Sequence, residues 1–142
     1  MNVHECEKIL AGGFIGGIIL LVVNFAVSAL IMVVAPYDSF ALGGMRAAED
    51  PLMLFFFAYP FVLSFAAAIV FDLVQGSLQG PAGTRGAIDG TALILIYTVP
   101  SIFITFTTMN YPPGFYLENF FVGVAGFPLI GVIYAMIWEQ LA

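Results

Sequence analysis

Residues 9–35 read ILAGGFIGGIILLVVNFAVSALIMVVA and contain no charged side chain. The hydrocarbon core of a bilayer is about 30 Å thick, so a helix needs roughly 20 apolar residues to cross it. Three further stretches of predominantly apolar residues cover residues 51–74, 86–109 and 117–138. The sequence therefore predicts an all-α fold, in which one domain spanning residues 1–142 forms a four-helix transmembrane bundle.

The composition leads to the same expectation. Hydrophobic residues make up 62% of the chain and charged residues 8%, whereas a soluble domain averages about a quarter charged residues. Residues 18–23 and 53–57 are continuous apolar runs, unlike the alternating strands of a membrane β-barrel. We therefore expect a multi-pass protein of the cell membrane whose main partner is the lipid bilayer.

The few basic residues bear on orientation and on partners. Four crossings place both termini on one side, together with Lys8 and Arg85, while the other side holds Arg46. Since cytoplasmic segments carry an excess of Lys and Arg, this distribution favours cytoplasmic termini. The formal net charge of −6, with no cluster of basic residues, argues against nucleic acid or anionic lipid head groups as ligands.

Glycines at a spacing of four residues predict close helix packing on the first and third spans. Lipid tails are as apolar as Leu, so membrane helices associate through close backbone contact, which glycine permits. Such a face serves either packing within the bundle or contact with a second copy in a homo-oligomer, and residues 12–17 are the first candidate for the latter. The glycines concerned are Gly12, Gly13, Gly16, Gly17, Gly86 and Gly90.

The third span carries a regular series of hydroxyl side chains. Thr91, Thr98 and Thr105 recur every seven residues, with Ser101 and Thr108 interleaved. In a left-handed bundle this spacing predicts one continuous seam. The seam either lines a polar pathway or forms hydrogen bonds to neighbouring helices and to backbone carbonyls.

Asn24 lies near the middle of the first span, where an unpaired amide is costly. We expect it to bond to the threonine seam or to backbone groups that Pro60 or Pro100 leaves free. A ligand-binding role is the alternative.

Asp72 and Asp89 lie about one turn inside the second and third spans, on the side of the termini. Ionisable residues inside a membrane are candidates for function because burying their charge is costly. Two neighbouring carboxylates could hold a proton or a cation. The alternative is that both lie in the head-group region, where Arg85 precedes Asp89 by four residues and forms an ordinary helix pair.

The inventory of reactive side chains excludes several kinds of membrane chemistry. His4 is the only histidine and Cys6 the only cysteine, so the chain lacks paired axial histidines for haem and paired cysteines for disulfide exchange. Zinc and serine intramembrane proteases also need histidines that the spans lack. The sequence predicts no metal site, no cofactor and no catalytic residue.

Several short motifs resemble a group of small four-span prokaryotic membrane proteins of unknown function. They are ALGGMR at residues 41–46, DPLM at 50–53, YPF at 59–61 and YTVPS at 97–101, and Tyr111-Pro112 and the glycine-rich last span ending near Trp138 fit the same group. The resemblance implies a four-helix membrane protein and carries over no binding residue. Small multidrug transporters have a similar size, but their first span contains a glutamate where this chain has Asn24.

Together these features predict a small, non-enzymatic membrane protein, either a transport component or an accessory subunit of a larger membrane complex. The competing hypothesis is a membrane-embedded enzyme that acts on lipid. In that case Asp72 and Asp89 would serve as acid and base or as metal ligands.

Overall fold

The computed structural model describes residues 2–142, most of which are helical. Four helices are long and apolar enough to cross a membrane, and no strand occurs in the described residues. The predicted all-α fold with four long apolar helices is therefore confirmed. The helices are α1 (Val3–Val34), α2 (Pro51–Ser77), α3 (Ala82–Thr108) and α4 (Pro113–Gln140).

The first helix begins six residues earlier than the predicted span because its N-terminus is capped. Asn2 Oδ1 accepts from the backbone N–H of Glu5 at 2.9 Å, and the Glu5 carboxylate accepts from the backbone N–H of Asn2 at 2.7 Å. This reciprocal capping box satisfies two donors that a helix otherwise leaves unpaired. Residues 3–8, most of which are polar, are therefore helical.

Prolines set the starts of α3 and α4. Pro81 precedes the first residue of α3, and Pro113 is the first residue of α4, where a missing N–H costs nothing. Residues 78–81 connect α2 to α3, fewer than the residues 75–85 that separate the predicted spans, because α2 continues through a 3-10 turn at Gln75–Ser77 and α3 begins at Ala82. Residues 109–112 connect α3 to α4.

Two of the helices change type along their length, next to a proline. In α2 a 3-10 segment, Pro51–Ala58, gives way to an α-helix that has Pro60 in its first turn. In α3 a π-helical segment, Ile94–Thr98, precedes an α-helix that has Pro100 in its first turn. A proline ring clashes with the turn before it and removes one donor, so the altered helix types lie where the prolines disturb regular hydrogen bonding.

Helix α1 packs against α2 and α4, and α3 packs against α4. The glycines of α1 lie in these contacts: Gly13 and Gly17 face the rings of Phe65 and Phe61 on α2, while Gly12 and Gly16 face Tyr134 on α4. All four are buried in a single chain. The expectation that residues 12–17 form the interface with a second copy is therefore wrong, because α2 and α4 occupy that face.

The contact between α3 and α4 also depends on glycine. Gly86 and Gly90 lie directly against the backbone of α4, and a Cβ atom on Gly90 would lie 2.5 Å from the Cα atom of Pro128. Gly131 on α4 lies equally close to the backbone of Gly86. The two helices therefore approach at backbone distance, which only residues without a side chain allow.

The two ends of the bundle differ in how they are filled. We call the end that holds both termini and residues 78–81 the terminal end, and the end that holds residues 35–50 and 109–112 the loop end. The largest fully buried side chains, Tyr134, Phe71 and Ile130, lie toward the terminal end. Toward the loop end the helices enclose a cavity.

Candidate functional site

The terminal half of the bundle is closed by an aromatic cluster with internal hydrogen bonds. The ring centroid of Phe71 lies 5.9 Å from that of Tyr134 and 5.3 Å from that of Trp138. The Tyr134 hydroxyl lies 2.7 Å from Ser64 Oγ and donates to the Ser64 carbonyl at 2.8 Å. This cluster is therefore a packed core in which the hydroxyls of Tyr134 and Ser64 are paired with each other.

Asp72 belongs to this cluster as a hydrogen-bond acceptor. Trp138 Nε1 donates to Asp72 Oδ1 at 2.7 Å. An indole N–H has no other role than to donate, so the carboxylate satisfies a group that is otherwise buried. The structure thus gives Asp72 a packing partner on α4.

Asp89 lies in a different environment. Its side chain is 3% exposed, and Oδ2 has no hydrogen-bond partner within residues 2–142. Arg85 does not pair with it: Arg85 Nη2 donates to Glu139 at 2.5 Å, and Arg85 Nε stays unpaired in the described chain. The alternative of an ordinary Arg85–Asp89 helix pair is therefore wrong. Asp89 belongs to no group of three or more potential metal ligands in residues 2–142.

The loop half contains a cavity of about 260 Å³ lined by all four helices and by residues 35–50. It exists because α2 and α3 do not pack along their length, which leaves a space bounded by α1 and α4 behind it. The hydroxyls of Tyr59 on α2 and Tyr97 on α3 contact each other across this gap. The Tyr97 ring is fixed against Phe127 edge to face, with centroids 5.8 Å apart.

Three polar side chains that line the cavity make no side-chain hydrogen bond within the described residues: Asn24 on α1 and Thr98 and Ser101 on α3. Thr98 is 3% exposed and packs against Gly123. The expected bond from Asn24 to the threonine seam or to freed backbone does not form. Its amide instead lines the cavity, with hydrogen-bonding capacity unused.

The other hydroxyls of α3 do not share this environment. Thr91, Thr105 and Thr108 donate to carbonyls four residues earlier on their own helix. The predicted continuous seam is wrong because the π-helical segment Ile94–Thr98 interrupts the seven-residue period. Thr98 is buried, whereas Thr91 is exposed. Thr105, a predicted site residue, is bonded to the carbonyl of Ser101 and does not line the cavity.

At the loop end, the cavity is lined by residues 35–50 and the start of α4. Tyr37 donates its hydroxyl to Glu118 Oε2 at 2.5 Å, and both side chains line the cavity. Burial and the bond to Glu118 raise the pKa of Tyr37 to about 12, so its hydroxyl keeps its proton at physiological pH. The segment thus closes over the cavity as a cover attached to α4.

Glu118 and Asn119 are site residues that the sequence interpretation missed. Asn119 donates its amide to the Phe115 carbonyl at 2.8 Å and lines the cavity. The sequence did contain a signal for this site. Glu118 and Asn119 place an acid and an amide side by side within an apolar span, and Tyr37 lies in a loop of low polarity.

The structure therefore brings together three of the predicted polar residues, Asn24, Thr98 and Ser101, and leaves Asp72, Asp89 and Thr105 outside the cavity. No protein-family model, curated protein or solved structure matches the chain. The site is consequently interpreted from its own geometry.

Proposed function

We propose that this chain is an integral membrane protein of four transmembrane helices that binds a small molecule in the loop-end cavity. In this role it is a transport component or the ligand-binding accessory subunit of a larger membrane complex, without catalysis. The length and hydropathy of the four helices support the membrane location. By the positive-inside rule the termini are cytoplasmic, so the cavity mouth faces outward.

One observation carries the binding role: three unpaired polar side chains line one cavity deep in the bundle. At 1.5 Å of rise per residue, Asn24 and Thr98 lie about 15 Å from the loop ends of their helices. That depth is about half of a hydrocarbon core about 30 Å thick. Hydrogen-bonding groups left unpaired there are costly, so a polar molecule in the cavity lowers the free energy of the bundle.

The position of the two carboxylates argues against the lipid-modifying enzyme. Asp72 and Asp89 do not line the cavity. Asp72 is committed to Trp138, while Asp89 is enclosed at the closely packed α3–α4 contact. An acid–base pair has to reach the same reacting group within hydrogen-bond distance. Two side chains without a shared cavity do not meet that condition.

Native mass spectrometry tests this proposal with wild-type protein and a cavity-filling variant, Ser101→Leu. The variant removes a hydroxyl and places a larger side chain in the cavity. We expect wild-type protein extracted from membranes to carry a small molecule, and Ser101→Leu to carry less of it. The matched control is Phe103→Leu, since Phe103 lies on the same helix with 68% of its surface exposed and does not line the cavity.

The same spectra separate the possible outcomes. A small molecule lost from Ser101→Leu but kept by Phe103→Leu supports a binding site in the cavity. A protein partner that copurifies together with that molecule favours the accessory subunit over a self-sufficient transport component. Wild-type protein without any bound small molecule, or equal loading of all three proteins, contradicts the proposal.

A further inference from the structure

The charge of the cavity wall indicates the sign of the charge on its ligand. Among the described residues, Glu118 is the only charged side chain that lines the cavity. Among the basic residues, Arg46 pairs with Asp50 at 2.9 Å and Arg85 pairs with Glu139 at the opposite end. Lys8 also belongs to the terminal end. An anionic ligand would therefore meet a carboxylate with no compensating cation on the wall.

Glu118 retains the capacity to bind such a ligand. Its Oε2 atom accepts from Tyr37, whereas Oε1 has no hydrogen-bond partner within the described residues. The side chain is half-buried, which reduces screening by solvent. The Tyr37 hydroxyl orients the carboxylate without neutralising its charge, so one oxygen remains available to a cation in the cavity.

The rest of the wall is neutral and includes six aromatic side chains. Aromatic rings attract cations to their faces through the ring quadrupole, and quaternary ammonium groups are bound in cages of such rings. Asn24, Thr98 and Ser101 add neutral oxygen acceptors at the deep end. The aromatic side chains that line the cavity are Tyr37, Phe56, Tyr59, Tyr97, Phe115 and Phe127.

The volume limits the size of the ligand. A cavity of about 260 Å³ equals the liquid volume of roughly eight or nine water molecules. It therefore accommodates an ammonium group with a short apolar substituent. An aromatic wall next to a single carboxylate suits a ligand that has a positive charge and an apolar part.

On the basis of the proposed binding function, we infer that the ligand of this cavity is a small amphipathic organic cation. Its ammonium group lies next to Glu118 Oε1 and between aromatic rings, and its apolar part extends toward Phe127. The carboxylate supplies selection for charge, while the rings supply contact area. The inference adds a ligand class to the site and requires no chemical step.

Isothermal titration calorimetry of the full chain in dodecyl maltoside micelles, with empty micelles as the blank, tests this inference. The probe is phenyltrimethylammonium, and its uncharged isostere tert-butylbenzene is added as a competitor. Glu118→Gln keeps the shape and an acceptor for Tyr37 but removes the charge. We expect its affinity for the cation to fall about tenfold or more, as for loss of one partner of a partly buried ion pair.

The matched control is Asp38→Asn. It removes the same charge at the same end of the bundle, but Asp38 does not line the cavity, and its capping bond to the Phe40 N–H survives because asparagine offers the same oxygen. We expect this variant to bind the cation as the wild type does. An equal loss in both variants would mean that long-range charge acts in place of a specific contact, which overturns the inference.

Wild-type protein alone also decides the question if Glu118→Gln fails to fold. Binding of phenyltrimethylammonium that tert-butylbenzene does not displace supports the inference, and equal competition by the isostere overturns it. Absence of cation binding also overturns it, while a neutral molecule found in the cavity by mass spectrometry would leave the proposed binding function standing. If neither method finds a ligand, both proposals fail.

Discussion

At the scale of single residues, two aspartates at the terminal end have opposite surroundings. Asp72 accepts a hydrogen bond from Trp138, whereas the buried Oδ2 of Asp89 accepts none within the described chain. Burying a charged or polar group without a partner costs several kcal/mol, and far less when its partner is present. The sequence predicts a similar depth for both residues. It does not indicate which of them receives a hydrogen-bond donor from α4.

Replacement of Asp89 by asparagine tests this difference. Because Arg85 is engaged by Glu139, we expect Asp89→Asn to lose little attraction and to relieve the burial of an unpaired carboxylate. The free energy of unfolding should then rise by about 1–2 kcal/mol, measured as thermal or denaturant unfolding in detergent. Asp72→Asn is the matched control and should change little, since asparagine still accepts from Trp138. A clear loss of stability in Asp89→Asn would instead show that a cation or an ordered water binds the carboxylate.

At the scale of helices, small residues decide which elements touch. The four-residue spacing of glycine on the first and third spans predicts close packing, and each of these glycines lies at a helix contact. The partner surfaces were not predictable, because glycine offers the same flat face to a helix of its own chain and to a second copy. Only the folded structure shows that this face of α1 packs against α2 and α4. The formation of a homo-oligomer stays a prediction, and its interface would have to be a surface other than residues 12–17.

Two glycines of α3 provide a matched comparison of packing against intrinsic helix preference. A Cβ atom on Gly90 would overlap the backbone of α4, whereas one on Gly83 meets nothing within 4 Å. We expect Gly90→Ala to lower the free energy of unfolding by about 1–3 kcal/mol through overpacking. Gly83→Ala should raise it by up to about 1 kcal/mol, since alanine favours the helix. Equal effects of the two changes would contradict the close α3–α4 contact.

At the scale of the whole molecule, the bundle is packed toward the terminal end and open toward the loop end. Helix number and type follow from local hydropathy and were predictable. The cavity was not, because it arises where α2 and α3 fail to pack and where residues 35–50 fold back over α4. Asn24, Thr98 and Ser101 were recognisable as polar residues in apolar spans, but their shared environment depends on three-dimensional arrangement. Glu118 became part of the site through its bond to Tyr37.

The orientation of the bundle determines from which side of the membrane the proposed ligand would enter. Lys8 and Arg85 lie on the side of the termini and Arg46 lies on the other, so the bias toward cytoplasmic termini depends on a difference of one basic residue. Single-cysteine variants in a Cys6→Ser background test this orientation with a membrane-impermeant thiol reagent on intact cells. We expect Ser39→Cys to react from outside, and Gly83→Cys to react only after the membrane is opened.

The same experiment locates the mouth of the cavity. Ser101→Cys lines the cavity and should also react from outside, more slowly than Ser39→Cys because it lies about 10 Å deeper along α3. Phe103→Cys, exposed on the same helix but outside the cavity, should be protected by lipid from both sides. Reaction of Ser39→Cys and Gly83→Cys from one side would contradict four crossings. Ser101→Cys and Phe103→Cys reacting alike would show that water does not enter the cavity in the membrane.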